Sequence, residues 1–209
     1  MSSLSNNVAS DELDERSIDP DPIKQFQVWF ADAVAARLPL PESMTLATAT
    51  PDGKPSARMV LLKQVDEDGF VFYTNYHSAK AEQLDANPYA ALVFYWATLD
   101  RQVRVEGSVV KTSAEESLAY FKTRPRESQI GAWASAQSEV ISSRDALEQR
   151  AKELEAQYCD REIDWPEHWG GYRLTPERIE FWKSRIGRLH DRILYQRTGH
   201  GWTVTRLAP

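Results

Sequence analysis

The chain has 209 residues, 42% hydrophobic and 27% charged, which suits one large or two small globular domains with a sizeable core. Glycine is scarce at nine residues and forms neither G-x-G-x-x-G nor a Walker lysine loop, and the single cysteine, Cys159, excludes an intrachain disulfide and a C-x-x-C redox or zinc centre. The net charge of −6 is uneven: residues 1–22 hold six acids and one base, whereas residues 173–206 hold eight bases and three acids.

That C-terminal field suits an anionic ligand. No basic stripe runs along the chain, which argues against a nucleic-acid partner. The longest apolar run, residues 89–99, falls well short of the ~20 residues of a membrane span. The N-terminus lacks the basic-then-apolar order of a signal peptide, and the lone cysteine fits a reducing, cytoplasmic location.

Residues 1–20 are polar and acidic without periodicity and are read as a mobile arm; residues 21–209 show no repeat or linker and are read as a single domain. Asp21-Pro22 supplies an N-cap and a proline at the first helical position, and Ile23, Phe26, Phe30, Ala33, Val34 and Leu38 follow at helical spacing, so a first helix is predicted to about Leu38. Period two then takes over. Met44 to Thr50 alternate with a slip of phase at Leu46-Ala47, which leaves the buried face open. Strands are predicted over 56–65 and 70–74, a short helix over 78–86, and strands over 89–99 and 102–110.

Ser113-x-x-Glu116 is a capping box opening a helix that Arg124-Pro125 ends, with another helix from about Glu127. A helix over 143–158 carries Leu147, Ala151, Leu154 and Tyr158 on one face. A loop over 160–171 and two or three strands complete the chain. Strands joined by short turns predict an α+β fold, mainly antiparallel, as a meander closing into a barrel with flanking helices.

Arg188, His190 and Arg192 alternate, so in a strand they share one face at about 7 Å spacing. They form either a solvated face or a row facing an anionic or π-rich ligand. Tyr120 and Arg124 lie one helical turn apart, and a turn at Pro125 brings Ser128 to the next helix start. Hydroxyl, guanidinium and helix-start donors make either a phosphate cradle or a surface cluster with Glu127. Arg58 and Lys63 bracket the apolar strand centre Met59-Val60-Leu61-Leu62 and point to opposite faces. Gln102 offers a donor and an acceptor to a heterocycle edge, or is simply a surface residue; Trp182 suits core or cofactor wall. No metal-ligand constellation appears.

Taken together, Arg58-Met-Val-Leu-Leu-Lys63, Tyr73-Thr74-Asn75, Arg101-Gln102-Val103, the run from Arg124 to Trp133, Gln137-Ser138, Trp169-Gly170-Gly171-Tyr172-Arg173, Glu180-Phe181-Trp182, Arg188-Leu189-His190-Asp191-Arg192 and Arg206-Leu207-Ala208-Pro209 resemble the pyridoxamine 5'-phosphate oxidase family over roughly residues 20–209. The resemblance implies an FMN-binding split β-barrel working as a homodimer. It implies an oxidase that converts pyridoxamine or pyridoxine 5'-phosphate to pyridoxal 5'-phosphate with molecular oxygen, releasing hydrogen peroxide. By the same resemblance Arg58 and Lys80 grip the FMN phosphate, with Gln137 and Ser138 arriving from the partner subunit. Residues Arg58, Met59, Val60, Leu61, Leu62 and Lys63, with Tyr73 and Thr74, run along the flavin, and Gln102, Trp182 and Arg192 contact its ring region. Lys63, Tyr120, Arg124 and Ser128 hold the substrate phosphate, while Arg188 and His190 face the pyridine ring as the catalytic pair. Where the family often has Arg-Lys after Tyr-Thr-Asn, this chain has Ala79-Lys80, and the Arg-x-x-Tyr element of many N-terminal arms is missing. A related oxidase of another aromatic substrate and a non-catalytic flavin or pyridoxal-phosphate carrier are the alternatives.

Overall fold

The change of period near residue 40 marks a change from helix to sheet in the structure, a computed structural model that describes residues 13–209. Among the described residues there are nine strands and five α-helices. The pairings of Ser43–Ala49 with Pro55–Leu61, Gln64–Asp66 with Gly69–Asn75, Gly69–Asn75 with Trp169–Lys183, Trp169–Lys183 with Asp191–Thr198 and Asp191–Thr198 with Gly201–Arg206 are antiparallel. Packing divides the chain into two compact units. The first comprises residues 13–41, Val93–Val105 and Glu177–Pro209; the second comprises Glu42–Leu92 and Glu106–Pro176.

In the first unit, helix α1 spans Pro22–Ala35. The Asp21 carboxylate accepts from the Ile23 amide at 2.9 Å, and Pro22 occupies the first turn. The helix stops three residues earlier than predicted, because Arg37 takes a left-handed φ of 54°. Its apolar face buries Ile23, Phe26, Trp29 and Ala33; Phe26 meets Phe94 at 4.9 Å, and Trp29 meets Phe181 edge-on at 5.2 Å. Strands β8 (Asp191–Thr198) and β9 (Gly201–Arg206) complete this unit, β8 pairing with the end of β7 (Trp169–Lys183) and β9 with β8. Of the predicted arm, residues 1–12 lie outside the described residues. Among the rest, Leu13 is buried, the Asp19 carbonyl accepts from the Tyr195 hydroxyl at 2.7 Å, and Arg206 pairs with Glu15 and Asp191.

The second unit holds β1 (Ser43–Ala49), β2 (Pro55–Leu61), β3 (Gln64–Asp66), β4 (Gly69–Asn75) and α2 (Ala79–Ala86). Strands β5 (Tyr89–Trp96), β6 (Arg101–Lys111) and β7 run through both units, in the order β2-β1-β5-β6-β7-β4-β3. The phase slip in β1 is only apparent. Met44, Leu46 and Thr48 form one buried face, its last position filled by a hydroxyl rather than an apolar side chain. The strand predicted over 56–65 is two: the Leu62 amide bonds to Glu42 and the Lys63 amide to Val71, which breaks the ladder between β2 and β3.

Helices α3 (Ala114–Thr123), α4 (Arg126–Ala134) and α5 (Arg144–Gln157) pack over a cluster of Phe121, Ile130, Leu154, Tyr158, Ile163 and Trp169. Ser113 and Ser143 cap α3 and α5 through the Glu116 and Ala146 amides, as the sequence predicts for α3. Arg124, extended at ψ 148° before Pro125, separates α3 from α4.

Candidate active site

A cavity of about 660 Å³ opens in the second unit. Its wall is the strand segment Met59-Val60-Leu61 with Lys63, the end of β4 from Tyr73 to Asn75, Lys80 of α2, the α3–α4 junction and Trp169. Lys63, Lys80 and Arg124 line it, and no carboxylate does. Three cations without a counter-charge repel one another, so the cavity is built for an anion.

One polar group centres on Lys80. Its ammonium donates to Gln137 Oε1 at 2.5 Å, Thr74 Oγ1 at 3.0 Å and Ser78 Oγ at 3.1 Å, all neutral acceptors. Burial, and then the neighbouring Arg58, push its pKa down from 10.5 to about 8. The Ala79 amide, first in α2, donates to Ser138 Oγ at 3.2 Å, and Ser138 holds a left-handed φ of 78° to meet it. A helix N-terminus therefore faces the same cluster. Arg58 does not line the cavity. Its guanidinium is held by Thr48 Oγ1 at 2.6 Å, Ser56 Oγ at 2.7 Å and Gln83 Oε1 at 3.0 Å, again all neutral, so its charge reaches Lys80 uncancelled. Thr48 and Gln83 escaped the sequence reading, because a polar pair 35 residues apart leaves no periodic signal.

Gln137 and Ser138 touch Lys80 and Ala79 of their own chain, which corrects the expectation that the partner subunit delivers them. The segment after α4 folds back over the start of α2, a return the sequence does not advertise.

The second polar group centres on Arg124 at the α3–α4 junction, and Tyr120, Ser128 and Lys63 also line the cavity. The Ser128 amide donates to the Pro125 carbonyl at 2.8 Å, placing Ser128 in the first turn of α4. The Arg124 guanidinium lies 4.4 Å from the centroid of the Trp169 ring, and its Nη1 is buried without a partner. Tyr120 stacks on Tyr73 at 4.0 Å. Burial first, then the nearby Glu116, push the Tyr73 phenol up to about 12, so it stays a neutral hydroxyl. Leu62 is buried and does not line the cavity.

Gln102, Trp182, Arg188, His190 and Arg192 belong to the first unit. The reading of Arg188, His190 and Arg192 as one strand face is corrected here. Residues Ile186–Arg188 form a 3-10 turn with Gly187 at φ 72° and Arg188 at φ 63°, and β8 starts only at Asp191. Gly187 takes the left-handed conformation without cost and ends the alternation. Arg188 is exposed on this turn; His190 Nδ1 accepts from the Arg185 amide at 3.1 Å, and its ring lies 4.7 Å from that of Trp182. Arg192 makes a bidentate pair with Glu180 at 2.9 and 3.0 Å.

Residues 30–158 match the pyridoxamine 5'-phosphate oxidase domain, and residues 169–209 match the pyridoxine 5'-phosphate oxidase C-terminal dimerisation region. The chain belongs to the pyridoxamine 5'-phosphate oxidase family. A family member from Paraburkholderia phymatum, a pyridoxine/pyridoxamine 5'-phosphate oxidase, is 57% identical over 100% of this chain and 99% of its own. The crystal structure of PhzG from Burkholderia lata, in complex with tetrahydrophenazine-1-carboxylic acid, superposes with a TM-score of 0.90 at 32% identity, covering 95% of this chain and 98% of that one. A pyridoxamine 5'-phosphate oxidase-related, FMN-binding protein from Nostoc punctiforme shares the fold at a TM-score of 0.71 and 20% identity, over 88% and 97% of the two chains. The oxidase family's split barrel is thus the fold of this chain, whose described residues form a mainly antiparallel sheet and five α-helices. No helix among the described residues is long and apolar enough to cross a membrane.

Proposed function

We propose that the protein oxidises pyridoxamine 5'-phosphate or pyridoxine 5'-phosphate to pyridoxal 5'-phosphate, with dioxygen as acceptor and hydrogen peroxide as product; with the amine, water hydrolyses the resulting imine and ammonia leaves. The observation that carries this reading is the cavity with three cations and no carboxylate, with donors grouped around Lys80 and around Arg124. Two groups suit two phosphates, one from FMN and one from the substrate. FMN, when bound, supplies the two-electron acceptor that no side chain provides.

Lys80, Gln137, Ser138 and the N-terminus of α2 hold the FMN phosphate, and Arg58 adds its uncancelled charge from behind. Met59 to Leu61 and Tyr73-Thr74 flank the flavin. Lys63, Tyr120, Arg124 and Ser128 hold the substrate phosphate and so fix where the pyridine ring lies. The region matched as a dimerisation segment contains Trp182, Arg188, His190 and Arg192. We place these, with Gln102, over the cavity of a second copy in a homodimer, where Arg188 and His190 orient the substrate ring. We place the activity in a reducing, cytoplasmic compartment, supported by the single, unpaired Cys159.

Hydrogen peroxide release on adding pyridoxamine 5'-phosphate to the FMN-loaded protein tests the reading; absence of peroxide with both phosphorylated substrates refutes it. The likeness to PhzG favours one rival, oxidation of a larger carboxylated aromatic. That rival requires turnover of an unphosphorylated aromatic in preference to the phosphate esters.

A further inference from the structure

The segment Trp169-Gly170-Gly171 opens β7. In the structure it organises a set of parallel plates. The Trp169 indole is buried, and the Arg124 guanidinium lies on it at 4.4 Å. The Tyr73 ring is 5.4 Å from Trp169 and inclined to it by only 11°, and Tyr120 stacks on Tyr73 at 4.0 Å and 19°. Trp169 is itself fixed. Phe121 packs against it at a steep angle, ring centroids 5.5 Å apart, and the Trp169 carbonyl accepts from Trp165 Nε1 at 2.8 Å. Gly171 leaves room for the stack: a Cβ there would stand 2.9 Å from Cε1 of Tyr73 and 2.5 Å from Oγ1 of Thr112.

Arg124 needs such support. Among the described residues no carboxylate pairs with it, and Nη1 is buried without a partner. A carboxylate would orient the guanidinium but would also cancel the charge an incoming anion needs. An indole face orients the cation while leaving its charge and its N–H donors free. The buried Nη1 is then a donor held ready for a ligand oxygen.

We propose that Trp169 is a positioning residue for the substrate phosphate: it holds Arg124 in its binding orientation, while Tyr73, given room by Gly171, holds Tyr120. This rests on the oxidase reading in one respect, that the ligand at Arg124 is a phosphate monoester.

The test is a double-mutant cycle on the FMN-loaded dimer with Trp169→Leu, Arg124→Ala and the pair. Calorimetry measures binding of 4-deoxypyridoxine 5'-phosphate, which lacks an oxidisable 4' group, and of its unphosphorylated form. Trp169→Leu is expected to weaken the phosphorylated ligand about tenfold and the unphosphorylated one less than about twofold. In the Arg124→Ala background the same change is expected to cost less than about twofold. Trp169→Phe, which keeps an aromatic face and is the safer variant for folding, should show a loss of about threefold with the same non-additivity. KM for pyridoxamine 5'-phosphate should rise while kcat stays within about twofold. Losses that multiply in the double mutant, or that are equal for both ligands, overturn the proposal. A wild type that prefers the phosphorylated ligand yet releases no peroxide refutes the oxidase reading and leaves this one standing; a wild type without that preference overturns this one.

Discussion

If Lys80 holds the FMN phosphate as proposed, the binding of FMN is expected to depend on pH between about 7 and 9. Its ammonium has only neutral partners, and burial together with Arg58 lowers its pKa to about 8. In the apo protein it is therefore about 90% charged at pH 7 and about 10% charged at pH 9. A bound phosphate dianion favours the charged form and restores the higher pKa, so above pH 8 binding takes up a proton. The dissociation constant of FMN is expected to rise about five- to tenfold between pH 7 and pH 9, the lower figure allowing for the solvent that still reaches a half-buried side chain. Stability of the apo protein should move the other way. Its folded-state pKa lies below the unfolded value of 10.5, so between pH 8 and 10.5 the unfolded chain binds more protons. The desolvation cost is present below pH 8 and is relieved as the pH rises through that window. The assay is titration of apo protein with FMN, followed by flavin fluorescence, at steps from pH 7 to 9.5. Lys80→Arg, whose guanidinium stays charged throughout, should flatten the profile; Lys80→Gln should flatten it at an affinity at least about tenfold weaker at pH 7. A flat wild-type profile, or an unchanged slope in Lys80→Arg, refutes the reasoning.

Arg124→Ala should weaken phosphorylated substrate by about 1.5–3 kcal/mol, roughly 10–150-fold in KM, with FMN affinity nearly unchanged. Steady-state kinetics at saturating FMN, beside an FMN titration, would show otherwise if the two sites were misassigned. Arg188→Ala should lower kcat as well as raise KM, since an exposed turn arginine has no structural task to lose; loss of FMN with turnover intact would sink the assignment. Leu154→Ala removes the buried side chain by which α5 docks and should cost about 2–5 kcal/mol in urea denaturation, against less than about 0.5 kcal/mol for exposed changes on the same helix. Size-exclusion chromatography with light scattering should give a yellow dimer; a stable monomer retaining FMN would contradict the placement of the dimerisation region.

The sequence by itself determined the local structure wherever one side chain and its near neighbours suffice. Asp21-Pro22 starts α1, Ser113 caps α3, Arg124-Pro125 separates α3 from α4, and the Tyr120–Arg124 spacing puts both on the cavity lining. It also carried the family, because many short motifs in register cannot coincide by chance. Tertiary structure decided what depends on distant partners. The face of β1 was settled by Thr48, whose hydroxyl is matched by Arg58 and Gln83 rather than by hydrophobicity. The alternation at Arg188 failed because two successive left-handed residues replaced the strand with a turn, and periodicity does not register φ. Gln137 and Ser138 came to Lys80 from their own chain through a return after α4 that no local rule encodes. Trp169 meets Arg124 across 45 residues, an aromatic face under a half-buried cation that has no carboxylate, and only the folded chain shows which ring is within reach.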